Sequence, residues 1–266
     1  MYLAVMVSSN RQRKSKHPVQ RELDFRRDKN GQHRGGSRAR AGRKPSGKRA
    51  GVSHRARPEL MARHPQHVTM RVAIGVGWLR RMDAYRAIRI ALQRVLANHC
   101  EFRVIHVSVQ GTHIHALCEA STKETLARGV QGFQISAAKH INLAVSKRSG
   151  KRRTGRVFSD RYHVESISSV RQTRHALSYV INNWRRHGED GGRVGLFGGR
   201  IDPFSSGALF EGWRPAIQSW PWPEDYEPPP VSQPQTWLLA QGWKRAKPIG
   251  STEVPGSRTR SAPKRS

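Results

Sequence analysis

Two short stretches of this 266-residue sequence carry residue types spaced for metal-assisted chemistry at a phosphate, and the first is His113-Ile114-His115. On a β-strand, residues two apart project to the same side, so both imidazoles converge while Ile114 points into the core. Two neutral imidazoles held this way supply half of a divalent-metal site. In a chain with 13 histidines such a triplet is common and needs company to count. The second stretch, Tyr179-Val180-Ile181-Asn182-Asn183, provides it. On a helix, Tyr179 and Asn183 are four apart and stack on one face, leaving Val180 and Ile181 free to be buried. A phenol with an ordinary pKa of about 10 is a poor nucleophile unless a metal polarises the phosphate that it attacks. The Asn183 carboxamide, one turn on, is placed to give that metal a third, oxygen ligand. Taken without the histidines, Tyr179 reads as a core aromatic and Asn183 as a helix-end residue.

The elements that must hold these groups follow from hydropathy. His67 to Val72 alternates like a strand, and Met82 to His99 carries Tyr85, Ile88, Leu92, Val95 and Leu96 at helical spacing. Phe102 to Val109 reads as a second strand, with Phe102, Val104, His106 and Ser108 on one side and Arg103, Ile105, Val107 and Val109 on the other. Gln110-Gly111-Thr112 connects it tightly to a third strand over His113 to Cys118. Thr122 to Ser146 forms a long helix. Short strands follow around Val157-Phe158 and Tyr162 to Ile167, and a last helix runs from Ser169 to His187. This order predicts an α+β fold, a ferredoxin-like split βαβ antiparallel sheet with helices on one face. The predicted catalytic domain is 67–190. Ahead of it, residues 1–66 hold 18 Lys/Arg against 4 Asp/Glu and read as a disordered basic arm. Behind it, 191–266 is a Gly/Pro/Trp-rich extension with Trp213, Trp220, Trp222, Trp237 and Trp243, which pack as a cap or stack on unpaired bases.

Charge identifies the partner class. A formal net charge of +31 calls for a polyanion, and a phosphate backbone with its condensed counterions is the common one. Within the arm, Gly42 to Arg49 is a proline-stiffened basic segment resembling an AT-hook, with Arg43, Lys44, Lys48 and Arg49 as its contacts. Lys151, Arg152 and Arg153 in the loop after the long helix, and Arg185 and Arg186 at the end of the last one, are further nucleic-acid candidates. No apolar run approaches the roughly 20 residues that span a bilayer, so no membrane partner is expected. Cys100 and Cys118 are too few for a disulfide framework or a zinc site, which suits a cytoplasmic, nucleoid-associated protein.

Together these motifs make the sequence resemble the single-tyrosine HUH transposases, in particular the REP-associated tyrosine transposases. The resemblance spans about His67 to His187: the His-Val-Thr strand, Ser108-Val109-Gln110-Gly111 before the histidine pair, Val157 to His163, and Tyr179 to Asn183. It implies a DNA transposase with Tyr179 as nucleophile and His113, His115 and Asn183 as ligands of a divalent metal, Mg or Mn. It further implies a 5′-phosphotyrosine intermediate made in single-stranded DNA beside a hairpin, by a monomer or homodimer. Two positions depart from the family pattern: Gly111-Thr112 replaces a frequent Pro-Asn, and Trp184 stands where Pro often follows the Asn.

Other readings compete. Tyr162 in Arg161-Tyr162-His163 is a second tyrosine, without an Asn or Gln one helical turn on. His67-Val68-Thr69 and His106-Val107-Ser108 resemble the paired triplets of 2H phosphoesterases, which use two imidazoles as acid and base without metal. The non-enzymatic reading is a domesticated DNA- or RNA-binding protein that no longer cleaves.

Overall fold

In a computed structural model of the chain, residues 57, 59–98, 101–189, 201–214 and 224–256 are described. All of them belong to a compact unit over Arg49–Ser266. Residues 1–48 of the predicted arm lie outside the described residues, as do Arg49, Cys100, Trp220 and Trp222.

Four strands, β1 (Gln66–Arg71), β2 (Phe102–Val109), β3 (His113–Ala120) and β4 (His163–Ser166), form one sheet in the order β2-β3-β1-β4 with every neighbour antiparallel. The helices are α1 (Met82–Asn98), α2 (Lys123–Ser149), α3 (Val170–Arg186) and a single turn, α4 (Trp237–Ala240). This is the expected ferredoxin-like α+β arrangement, with Val157-Phe158 reduced to one isolated bridge, Val72 to Phe158. Among the described residues no helix is long and apolar enough to cross a membrane.

Side-chain alternation on the strands decides what covers each face. Val68, Met70, Val104, Val107, Val109, Ile114, Ala116 and Cys118 point to one side, where they meet Tyr85, Ile88 and Leu92 of α1 and Val130, Phe133 and Ala137 of α2. Leu117 and Ile105 point to the other, where they meet Leu177, Val180 and Ile181 of α3. Placement of all helices on one face therefore holds for α1 and α2 and is corrected for α3. The cause is legible in α3 itself, whose apolar residues match the few apolar positions of a largely polar sheet face. Strict alternation on β2 also fails. A bulge between Val104 and His106 shifts the register, so Val107 and Val109 rejoin Phe102 and Val104 on the α1/α2 side, whereas His106 and Ser108 lie on the α3 side.

The first face is tightly closed at Gly129 of α2, where an added Cβ would lie 2.1 Å from the ring of buried Phe102. Helix propensity alone favours alanine over glycine by about 1 kcal/mol. The overpacking penalty of about 1–3 kcal/mol outweighs it, because the added carbon meets the ring of a buried side chain that must shift within the core. Gly129→Ala is therefore expected to lower the denaturant midpoint, and a raised midpoint would contradict the packing described.

Residues from 201–214 and 224–249 complete the second face. Ile201, Phe210, Trp213, Leu239, Trp243 and Ile249 join the α3 cluster, so two of the C-terminal tryptophans are packed, whereas Trp237 is half exposed. The outward side of α3 is bound by a strip of the chain. Arg174 meets the Glu253 carboxylate at 2.5 Å and the carbonyls of Lys247 and Pro248, Ser178 donates to Glu253, and Asn182 donates to the Gly250 carbonyl.

Candidate active site

The polar side of the sheet is set by register. Thr69 lies opposite His115, Arg71 opposite His113 and His163 opposite Thr69, which lines histidines, a threonine and an arginine along one face of three strands. Helix α3 crosses that face. Its start is well defined: Ser169 Oγ accepts the Gln172 N–H, and Gln172 Oε1 accepts the Ser168 N–H. From that start, Tyr179, Asn183 and His187 fall one turn apart on the same side.

The tyrosine ring stands edge-on to the His115 imidazole, with centroids 5.1 Å apart, and to that of His67 at 5.6 Å. Two turns later the His187 ring lies 5.2 Å from that of His113, and the His113 and His115 rings are 4.6 Å apart. Asn183 is thus bracketed by two helix–sheet contacts that face the histidine pair. Its side chain is fully buried, and neither its carbonyl oxygen nor its amide nitrogen has a hydrogen-bond partner. His115 is 4% exposed, and its Nε2 is likewise buried and unpartnered. Buried polar atoms are rarely left so, because each costs free energy comparable to a lost hydrogen bond.

That donor set fits a divalent metal: two imidazoles and an amide oxygen, with unused lone pairs on His115 and Asn183. Among the described residues no three His, Cys, Asp or Glu side chains converge on one ion position, so a site here depends on the Asn183 amide. Electrostatics suits ligation as well. Burial holds His115 down to about 2, with His67, His113, His187 and Arg71 adding to the effect. Burial also holds His113 down to about 4, assisted by His187 and Arg71. The ring nitrogens are therefore neutral near pH 7 and keep their lone pairs.

The β2–β3 turn that leads into His113 is anchored from three directions. Glu189, just past α3, accepts the Gly111 N–H at 2.9 Å and pairs with Arg80, which also forks onto Asp202 with two bonds of 2.9 Å. Burial opposes charge on Arg80, but Asp202 and then Glu189 outweigh it, so its pKa is raised. Gly111 leaves the space that the Trp78 ring occupies, since a Cβ there would lie 2.4 Å from ring carbons. Gly111, the first residue of the Gly111-Thr112 departure, is thus packed directly against Trp78. At the other departure, Trp184 is buried and Arg185 stacks on it at 4.9 Å.

The basic candidates separate. Lys151 and Arg152 are exposed. Arg153 is turned inward, bonded to the Gly75 and Arg156 carbonyls and to Asn142. Arg185 donates to the Ser251 carbonyl, and exposed Arg186 reaches over the Tyr179 ring at 5.8 Å. Arg43, Lys44, Lys48 and Arg49 lie outside the described residues.

The competing residues are placed elsewhere. Tyr162 is buried in the α1/α2 cluster under the Arg57 guanidinium, 3.6 Å from its ring centroid. In the paired-triplet reading, His67 and His106 both register against Leu117, whose buried side chain lies between them. His106 is engaged with Ser206 Oγ at 3.0 Å and with the Phe210 ring. Sequence reasoning passed over His67, Thr69 and His187 as members of the Tyr179 site. Two signals could have found them: His67 and Thr69 share a strand face, and His187 continues the four-residue spacing of Tyr179 and Asn183.

Residues 77–183 match the profile of the family described as "Transposase IS200 like". No curated protein matches the chain. Among solved structures, a REP-associated tyrosine transposase bound to a REP hairpin is similar over 59% of this chain and 84% of that one, at 15% identity and a TM-score of 0.44.

Proposed function

We propose, from a chain whose residues 77–183 match the IS200-like transposase profile, that this protein is a DNA transposase that nicks and rejoins single-stranded DNA through Tyr179. The observation that carries this reading is the passage of Tyr179, Asn183 and His187 across His115 and His113, with unpartnered buried donors at His115 and Asn183.

His113, His115 and Asn183 would hold a divalent ion, Mg or Mn. When bound, that ion supplies Lewis-acid polarisation of a nonbridging phosphate oxygen. Tyr179 lies beside the residues that would hold the ion, with its ring in edge contact with both His67 and His115, so the phenol would be held close to a phosphate bound there. Its phenolic oxygen forms a bond to phosphorus as the bond to the 3′-oxygen breaks. The products are a 5′-phosphotyrosine and a free 3′-hydroxyl, which in net gains the phenolic proton. Reversal by another 3′-hydroxyl rejoins DNA without a nucleotide cofactor, because the ester bond is kept in the tyrosine link. Arg186, Lys151 and Arg152 are exposed cations for the backbone, and the basic arm with Arg43, Lys44, Lys48 and Arg49 adds salt-dependent affinity. Tyr179 and all three ligands come from one chain, so a monomer suffices for the first cleavage.

The test is cleavage of end-labelled hairpin oligonucleotides with single-stranded flanks, in Mg²⁺ or Mn²⁺ and again with excess EDTA. Nicking that requires the metal, with the protein retained on one product, is the expected result. Tight binding without cleavage in either metal would reject the enzymatic reading in favour of a protein that only binds.

A further inference from the structure

For His115 to serve as a ligand through Nε2, its other ring nitrogen must carry the proton, and a partner must hold the ring in place. Two partners are present, both on β1. Thr69 Oγ1 lies 3.1 Å from His115 Nδ1, and His67 Nε2 lies 3.1 Å from the same atom. The contact is dictated by the sheet. Thr69 is the register partner of His115, and His67 lies two residues earlier on the same strand face. The His67 ring is 5.2 Å from that of His115, tilted by 31°, and also meets Tyr179, so it touches ligand and nucleophile together.

We propose that His67 and Thr69 are positioning residues that hold His115 as its Nδ1–H tautomer and so present the Nε2 lone pair to the ion. The hydrogen-bond inventory favours this tautomer. With the proton on Nδ1, His115 donates to Thr69 Oγ1 or His67 Nε2, and the unpartnered atom is a bare acceptor aimed at the site. With the proton on Nε2, a buried N–H would stand without an acceptor, which native structures seldom tolerate. His67 must accept through its own Nε2 and therefore carries its proton on Nδ1. One strand triplet, His67-Val68-Thr69, thereby places two polar groups on the ligand while Val68 fills the opposite core.

This inference rests on the metal reading of His113, His115 and Asn183, and the experiment separates the two. Mn²⁺ is titrated into the full-length protein and free ion is followed by electron paramagnetic resonance, for the parent chain, His115→Ala, His67→Leu, His67→Gln and Thr69→Val. Loss of an outer partner of a metal-bound histidine weakens binding by about 10–100-fold. A loss in that range is expected for His67→Leu combined with Thr69→Val, with smaller losses for each alone. His67→Gln, whose amide oxygen can accept, is expected to recover part of the affinity. Unchanged Mn²⁺ affinity in the double variant, with His115→Ala defective, would overturn the positioning role alone. Unchanged affinity in His115→Ala would overturn the metal reading and this inference with it. Should the double variant fail to fold, Thr69→Val, which is nearly isosteric, and ¹⁵N chemical shifts of the metal-free parent keep the proposal testable. A His115 ring protonated at Nε2 would refute it.

Discussion

A Tyr179→Phe protein is expected to bind its hairpin oligonucleotide with unchanged affinity and to form no covalent adduct with it. The substitution removes one oxygen and leaves the ring, which makes the edge contacts to His67 and His115. Packing and the DNA surface are therefore kept, while the oxygen proposed to form the ester to phosphorus is lost. Removing the nucleophile costs about six orders of magnitude in a well-studied hydrolase, where residual turnover arises from binding and charge stabilisation alone. Here a residual rate would have to come from water attack, which leaves no protein on the DNA. Denaturing gel analysis of a labelled oligonucleotide after incubation with Mn²⁺ reads both outcomes. An adduct of undiminished yield would transfer the nucleophile to another residue. Tyr162 is poorly placed for the role, because it sits in the core on the opposite side of the sheet.

The second large effect concerns stability. Asp202→Ala is expected to destabilise the fold by about 3–5 kcal/mol, the range found when one partner of a buried ion pair is removed. Asp202 is fully buried, and its carboxylate accepts both arms of the Arg80 guanidinium and the Phe204 N–H. Without it, Arg80 keeps a buried charge with Glu189 as its remaining acidic partner. The loss should appear as a lower midpoint in urea with an unchanged slope. Because Glu189 also holds the Gly111 N–H, amide exchange at the β2–β3 turn should quicken as well. An effect below 1 kcal/mol would mean that Arg80 finds solvent or another acceptor.

Much of this molecule can be read from residue order, because its elements follow simple periodicities. Strand and helix hydropathy are local signals, so the strand at Phe102–Val109 appears with its expected bounds and the long helix begins where expected, although it runs past Ser146 to Ser149. The His113/His115 convergence and the Tyr179/Asn183 stacking are likewise local, each following from one element's repeat. What escaped is non-local. The bulge at Val104/His106 has no glycine to announce it, and it reversed the side assigned to Val107. The face chosen by α3 depends on Leu117 and Ile105, two apolar residues amid polar neighbours, and a one-dimensional pattern does not say which helix will claim them. The role of Asp202, 122 residues from Arg80, is visible only once the chain has folded back.

That return of the chain has a practical consequence. Helix α3 is held between the sheet and the strip at 247–253, and its cluster draws Phe210, Trp213 and Trp243 from beyond residue 200. A shortened protein ending near 190 would retain Tyr179, Asn183, His113 and His115. It would also bare the back of the helix that carries Tyr179, leave Arg174 without its carboxylate and expose a strip of core to the medium. A shortened version of this chain should therefore be trimmed from the front and keep the strip at 247–253 that binds α3.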